Sequence, residues 1–419
     1  MRKSTLKDIE NEIKTTDKEA ESKPSKYAPT GSFLLDLVVG GGTGYGYPFG
    51  RIVNIVGDTS SGKTFLGCEL IAACYHLLGN KNFKWTYDDC ESGFTFDTQK
   101  LYGFEIMPPN MEDRVHSNTV QDAYVNIREF AESLKGNQFG AYILDSLDGL
   151  KSKEANARAD ERFNRAIAAR KGKTPKAKQA GTFGVEKPKY LSQEFFPQLS
   201  ELLEKTNCLL IVISQVRQNI NPMSFEKYVR AGGKAMDFYA HTVLWLANIG
   251  KMKKKGRPVG VTVKGKTTKS KTPRPYRYLI FSLQFDYGLD DIATCIDFLF
   301  DFRTDTGKLT KDAKASWGDI EPNLNNLKAF LTDNKLEDTY RENIHPKLKK
   351  SEVLEWLEET EDEAIKAKYL ETFGKKLNRD ELIQYVEDNN LVDELHRRVE
   401  EKWEQIEASI KTTRKPKYS

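Results

Sequence analysis

Between Thr30 and Tyr287 the chain alternates short apolar runs with longer stretches whose apolar residues recur at helical spacing. The runs are Ile52–Val56, Lys84–Tyr87, Ala141–Leu144, Leu209–Ile213, Thr242–Leu246, Gly260–Lys264 and Tyr278–Phe285. They are strand-sized and rich in β-branched residues. Between the first four lie the helical stretches Thr64–Leu78, Thr119–Leu134 and Ser192–Lys205. Apolar strands alternating with helices predict an α/β fold, with a mostly parallel sheet covered by helices on both faces. The later runs follow one another without long helices, which predicts an antiparallel end to the sheet. Residues 1–28 are polar, and Leu6, Ile9 and Ile13 give one short amphipathic helix. Its thin apolar stripe packs on its own domain or on another subunit, or else the terminus frays. Beyond the core, Val353, Leu354 and Leu357, then Leu382, Ile383 and Val386, mark a small helical domain. The expected divisions are 1–28, 29–300 and 301–419.

Composition and charge modify this outline. At 419 residues with 38% hydrophobic positions, the chain can bury cores for two or three domains, which excludes wholesale disorder. The net charge of +4, from 65 basic and 61 acidic residues, argues against a uniformly basic nucleic-acid coat. The charge is segregated, however. Residues 151–190 hold twelve Lys and Arg against four acids, and 251–278 hold eleven against none. Residues 331–410 hold 22 acids against 13 bases, and the last residues form a basic tail. With Gly172, Pro175, Gly181, Gly184 and Pro188, the 151–190 interval reads as a partly mobile basic insertion. The five cysteines are scattered without a CxxC pair, as expected for reduced thiols in the cytoplasm, and the scattered histidines argue against a zinc site. No stretch approaches the roughly 20 apolar residues of a membrane span, and the first residues lack the apolar segment of a secretory signal.

The sharpest motif is Gly57-Asp58-Thr59-Ser60-Ser61-Gly62-Lys63-Thr64, a GxxxxGKT between an apolar strand and an apolar helix. In that setting the glycines let backbone N–H groups and the helix N-terminus wrap phosphates, Lys63 reaches the β/γ-phosphates, and Thr64 can ligate Mg²⁺. A second metal-shell carboxylate is expected at another strand end, and Asp145 after Tyr142-Ile143-Leu144 fits better than Asp148. Hydrolysis needs a group that activates water, and Asp88, Asp89 and Glu91 all stand at the end of a third strand. Gln215 ends a fourth buried strand, at the carboxyl edge where ligands bind.

These elements, in this order, resemble the RecA family of strand-exchange recombinases from about Thr30 to Asp290. The carrying segments are TGSFLLDLVVGGG through GRIVNIVGDTSSGKT, then DDCE, LDSLDGL, VISQVRQNI and RAGGKAMDFYAHTVLWLANIG. The resemblance implies a RecA-like P-loop NTPase core with an N-terminal polymerisation helix. It selects Glu91 as catalytic base, makes Gln215 the γ-phosphate sensor, and matches Lys269 and Lys271 to a lysine pair that reaches a neighbouring subunit's nucleotide. It implies ATP and Mg²⁺ as cofactors, the metal held through Thr64 and Asp145. It also implies DNA-stimulated ATP hydrolysis, filaments on single-stranded DNA, and homologous pairing with double-stranded DNA. The first DNA loop falls in 151–190, with Arg162, Arg165 and Lys171 as contacts. The second falls between Gln215 and Gly233, with Arg217, Gln218, Asn219, Phe225, Lys227, Tyr228, Arg230, Gly232 and Gly233. Partners implied are a homo-oligomeric helical filament, loader proteins and single-strand-binding proteins, with no membrane. Two segments, ESGFTFDTQKLYG and SLDGLKSKE, are closer to T4-like phage recombinases, which implies a phage-encoded protein acting in a bacterial cytoplasm. The adenine contact is unmatched; Thr98 and Tyr102 are candidates. The acidic C-terminal domain suits a regulatory lobe competing with DNA. The alternative is a hexameric helicase motor, which shares the fold but calls for a further N-terminal domain and a late arginine finger. A third, a regulatory RecA-fold ATPase, would lack basic DNA loops.

Overall fold

The computed structural model describes residues 27–42, 46–172, 186–218, 228–230, 233–271, 274–318, 324–343 and 347–414. The expected N-terminal helix lies outside these residues, as do Asn219, Phe225, Lys227 and Gly232. The chain divides into two compact units, Met1–Thr294 with Ile410–Ser419, and Cys295–Ser409.

The first unit is built on a nine-stranded sheet. Its strands are β1 (Ile52–Gly57), β2 (Phe83–Asp89), β3 (Phe139–Asp145), β4 (Cys208–Gln218), β5 (Tyr228–Arg230), β6 (Thr242–Lys254), β7 (Arg257–Ser270), β8 (Tyr278–Gln284) and β9 (Gly288–Leu289). The order is β9-β8-β7-β6-β1-β4-β3-β2, with β5 paired to β4 off this path. The pairs β2/β3, β3/β4, β4/β1 and β1/β6 are parallel. The pairs β6/β7, β7/β8 and β8/β9 are antiparallel, as the lack of intervening helices predicted.

Every residue of β1 is buried, because helices cover both of its faces. Ile52 and Val56 join Tyr142, Leu144, Leu210 and Val212 in a core with helices α3 (Val120–Ser133) and α5 (Phe196–Thr206). The opposite face receives α2 (Lys63–Asn82): a Cβ on Gly67 would touch Ile143 and Ile213. The two-residue period of the strands divides their side chains between these layers.

The interval expected to be mobile is instead helical over its first half. Helix α4 (Lys153–Arg170) starts at Ser152, whose Oγ accepts from the Ala155 amide at 3.2 Å. Alanine, arginine and glutamate favour helix despite weak hydrophobic patterning. None of its residues is buried, and Phe163 is 66% exposed.

The second unit is largely helical, as its patterning indicated. Leu327, Phe330, Val353, Leu357, Tyr369 and Phe373 form its core. Asp297 accepts from Arg303 at 2.5 Å and from both Nε and Nη2 of Arg379 at 2.5 and 3.0 Å. The division between units falls at Thr294/Cys295, a few residues before the expected 300/301.

Candidate functional site

The parallel strands β1, β2, β3 and β4 run to the same edge of the sheet. Gly57 is in register with Gln215, and Asp89 with Asp145. A cleft of 410 Å³ opens there, lined by Ser60 to Phe65 and by Asp89, Glu91 and Asp145. Its loop has no room for side chains at two positions. A Cβ on Gly57 would lie 2.3 Å from Ser61 Oγ, and one on Gly62 (φ +87°) would lie 2.1 Å from Leu283 Cδ1. No side chain caps α2, so its first N–H groups face the cleft without a side-chain partner. This is an anion cradle. Lys63 Nζ donates to the Asp58 carbonyl at 2.8 Å, inside the loop it serves. Burial pushes the Lys63 ammonium below its usual range, against the opposing pull of Asp145, Glu91 and Asp58.

Thr64 Oγ1 donates to Asp145 Oδ2 at 2.8 Å, so the two residues singled out for a metal shell converge across 81 positions of sequence. Tyr87 OH donates to the same oxygen at 2.6 Å. Burial raises the Asp145 carboxyl above its ordinary value; the two donors oppose that shift by stabilising the anion. Tyr87 escaped the sequence reading because it looked like an ordinary strand residue.

The three acids at the end of β2 separate cleanly. Asp88 is fully buried and accepts from Ser117 N at 2.8 Å, Ser117 Oγ at 2.6 Å and Tyr142 OH at 2.6 Å. It holds β2 to β3 and has no route to a cleft. Asp89 lines the cleft while holding the Phe94 amide at 2.8 Å. Glu91 lies in the cleft, accepts from Ser146 Oγ, and is met by Gln215 Nε2 at 2.9 and 3.0 Å from its two oxygens. Asp148 holds the Gln215 amide at 2.8 Å, which explains an acid just past the β3 end.

The far wall comes from distant elements: Val261 of β7, Leu283 of β8 and Phe285, with Phe65, Phe94 and Phe96 beside the loop. Phe65 and Phe96 meet edge-on at 4.6 Å. The adenine candidates are elsewhere. Thr98 is buried and accepts from the Ile106 amide, and Tyr102 OH donates to Glu69. Neither lines the cleft. The FTF at 94–96 was the one available signal for this wall.

The expected DNA contacts are placed unevenly. Arg162 and Lys171 are exposed at α4 and its end, while Arg165 pairs with Glu161 at 2.7 Å. Arg217 and Gln218 continue β4 into pairing with β5, although their side chains lie outside the described residues. Tyr228 is 55% exposed, and Gly233 starts α6 (Gly233–Tyr239) with φ +50°. Arg230 departs from the expectation. Its side chain is 6% exposed, and the guanidinium is turned inward on Asn54 and Asp237, because those two partners offer it a buried acceptor and a carboxylate. Lys269 Nζ donates to the carbonyls of Asp237 and Phe238, and the Lys271 amide to that of His241. Burial, with Lys271, Arg51 and Lys269 nearby, pushes His241 down to about 4. Past Leu246 the β6–β7 hairpin carries Lys251, Lys253, Lys254, Lys255 and Arg257, all exposed. Asn248 at its base donates to the Ser60 carbonyl at 3.1 Å, tying this cationic arm to the phosphate loop.

A protein-family model described as the RecA N-terminal domain matches residues 167–290. Protein RecA of Xanthomonas campestris pv. campestris (strain B100) is 29% identical over 333 residues, covering 76% of this chain and 85% of the relative. Protein RecA of Xanthomonas axonopodis pv. citri (strain 306) is 28% identical over the same length and coverage. The chain is similar to RecA. The matched span of the RecA family model includes β4 through β9, and so Gln215, the basic hairpin and Lys269. Among the described residues no helix is long and apolar enough to cross a membrane.

Proposed function

We propose that this chain is a RecA-family recombinase: a DNA-stimulated ATPase that forms helical filaments on single-stranded DNA and pairs it with homologous duplex, acting in the cytoplasm. The likeness of two segments to T4-like phage recombinases makes a phage source part of this proposal. The observation that carries the reading is the contact between Gln215 and Glu91. It joins the cleft's water-activating carboxylate to a strand, β4, that runs on directly into the interval assigned to DNA.

In this reading the uncapped turn of α2, the loop amides and Lys63 hold the nucleotide phosphates. Thr64 and Asp145 hold Mg²⁺, which when bound neutralises phosphate charge and polarises the γ-phosphoryl group. Phe285 packs on the adenine face. Glu91 takes the proton of the attacking water, oriented by Ser146. Gln215 leaves Glu91 for the γ-phosphate, and its shift passes along the last residues of β4 into the interval beyond. Exposed Arg162 and Lys171, Tyr228 and the hairpin lysines supply phosphate and base contacts, together with the assigned residues outside the described segments. Lys269 and Lys271 complete a neighbour's site across the filament interface.

Hydrolysis measured with and without single-stranded DNA tests the reading: DNA raises the rate if it holds, and an unstimulated rate overturns it. A narrower consequence concerns Tyr87. Tyr87→Phe keeps the ring and removes one donor from Asp145, so the Mg²⁺ concentration for half-maximal binding of a fluorescent ATP analogue rises about tenfold, the usual cost of losing an outer partner of a metal-shell group. An unchanged Mg²⁺ titration shows that the hydroxyl does not orient Asp145.

A further inference from the structure

A largely buried polar chain links β5 to β1 and β4, two of the strands that end at the nucleotide cleft. Asn54 is the one amide side chain in the buried apolar run of β1, three residues before the phosphate loop. Its Nδ2 donates to the Val212 carbonyl at 2.7 Å and to Ser214 Oγ at 2.9 Å, three residues and one residue before Gln215 on β4. Its Oδ1 accepts from Arg230 Nη1. The other arm of the same guanidinium holds Asp237 of α6, and its carbon lies 5.9 Å from the centre of the Trp245 ring on β6. Arg230 is the last residue of β5, paired in register with Val216.

A buried cation is expensive to hold unless each of its donors is satisfied. Here the guanidinium fork fits two acceptors on different elements, which a lysine cannot match. The arrangement therefore has few alternatives. A shift of β5 along β4 breaks the Asn54 bond and releases the oxygen side of the amide that bridges β1 to Val212 and Ser214 of β4, just before the Gly57–Gln215 level. We propose that Arg230 is a positioning residue that transmits the placement of β5 to the nucleotide cleft through Asn54. The inference rests on the recombinase reading for the claim that DNA acts on β5.

The test is a DNA titration of ATP hydrolysis by the full chain, carried to saturation with oligo-dT. For Arg230→Met, the maximal DNA-stimulated rate falls about tenfold, within the range of allosteric couplings, and the DNA concentration for half-maximal effect moves less than about threefold. Arg230→Lys recovers part of the loss. In the Asn54→Leu background, Arg230→Met adds little, because the bond it removes is already gone. The opposite split, a full maximal rate reached only at much higher DNA concentration, makes Arg230 a DNA contact and overturns the inference. Full additivity of the two substitutions also overturns it. Thermal melts of the same proteins guard against misfolding; if Arg230→Met unfolds, the Arg230→Lys and Asn54→Leu titrations decide by the same split. A native protein that hydrolyses ATP without any DNA response overturns the recombinase reading, and the coupling falls with it. Intact stimulation in Arg230→Met sinks the coupling alone.

Discussion

Glu91→Gln is expected to bind ATP and single-stranded DNA and to stop turning over, with kcat lower by about 10²–10⁴-fold, the usual contribution of a positioned general base. The substitution is nearly isosteric. Its carbonyl oxygen still accepts from Ser146 and from Gln215, so the cleft keeps its shape while losing the group that takes a proton. The consequence is persistence: filaments assembled with ATP do not disassemble. Single-turnover hydrolysis and gel-shift lifetimes read the two halves of the prediction separately. Asp88 cannot substitute, because Ser117 and Tyr142 occupy its oxygens in the core. Turnover within tenfold of the native rate transfers the role to Asp89, which lines the cleft beside Glu91 while Asp145 is engaged by Thr64 and Tyr87.

Lys63→Ala is expected to weaken nucleotide binding by at least about a hundredfold, comparable to removing one preorganised donor from developing phosphate charge, and to abolish ATP-dependent DNA binding. Lys63 makes a single hydrogen bond within its own loop, to the Asp58 carbonyl, so the fold loses little. The melting temperature without nucleotide stays within a few degrees of native, whereas the rise in melting temperature on adding ATP disappears. Retained stabilisation by ATP shows that the phosphates sit elsewhere.

The parts of this site that were legible in the sequence are those set by local pattern. Apolar runs bounded by turn residues mark the strands; a glycine-rich loop between strand and helix marks the phosphate cradle; acids and an amide at strand ends mark Asp145, Gln215 and the trio Asp88, Asp89 and Glu91, from which the family resemblance picked Glu91. What escaped depends on elements that meet only after folding. Phe285 reaches the cleft because it follows the end of β8, whose Leu283 also lines the far wall. Tyr87 is distinguished from other strand tyrosines only by the Asp145 carboxylate 58 positions away. Arg230 looked like a DNA contact because a cation in a basic, glycine-bounded interval is ordinarily solvated. One of the partners it meets in the fold, Asn54, is 176 positions away, visible beforehand only as a polar interruption in RIVNIV. The α4 helix was missed for the converse reason: glycines and prolines further along masked a run of strong helix formers.

The central claim is assembly on DNA with the nucleotide between subunits. Electron microscopy of the full chain with single-stranded DNA and a slowly hydrolysed ATP analogue tests it most directly. The recombinase account predicts continuous helical filaments that require both the DNA and the nucleotide. Closed hexameric rings, or particles that do not change when DNA and analogue are added, would contradict it.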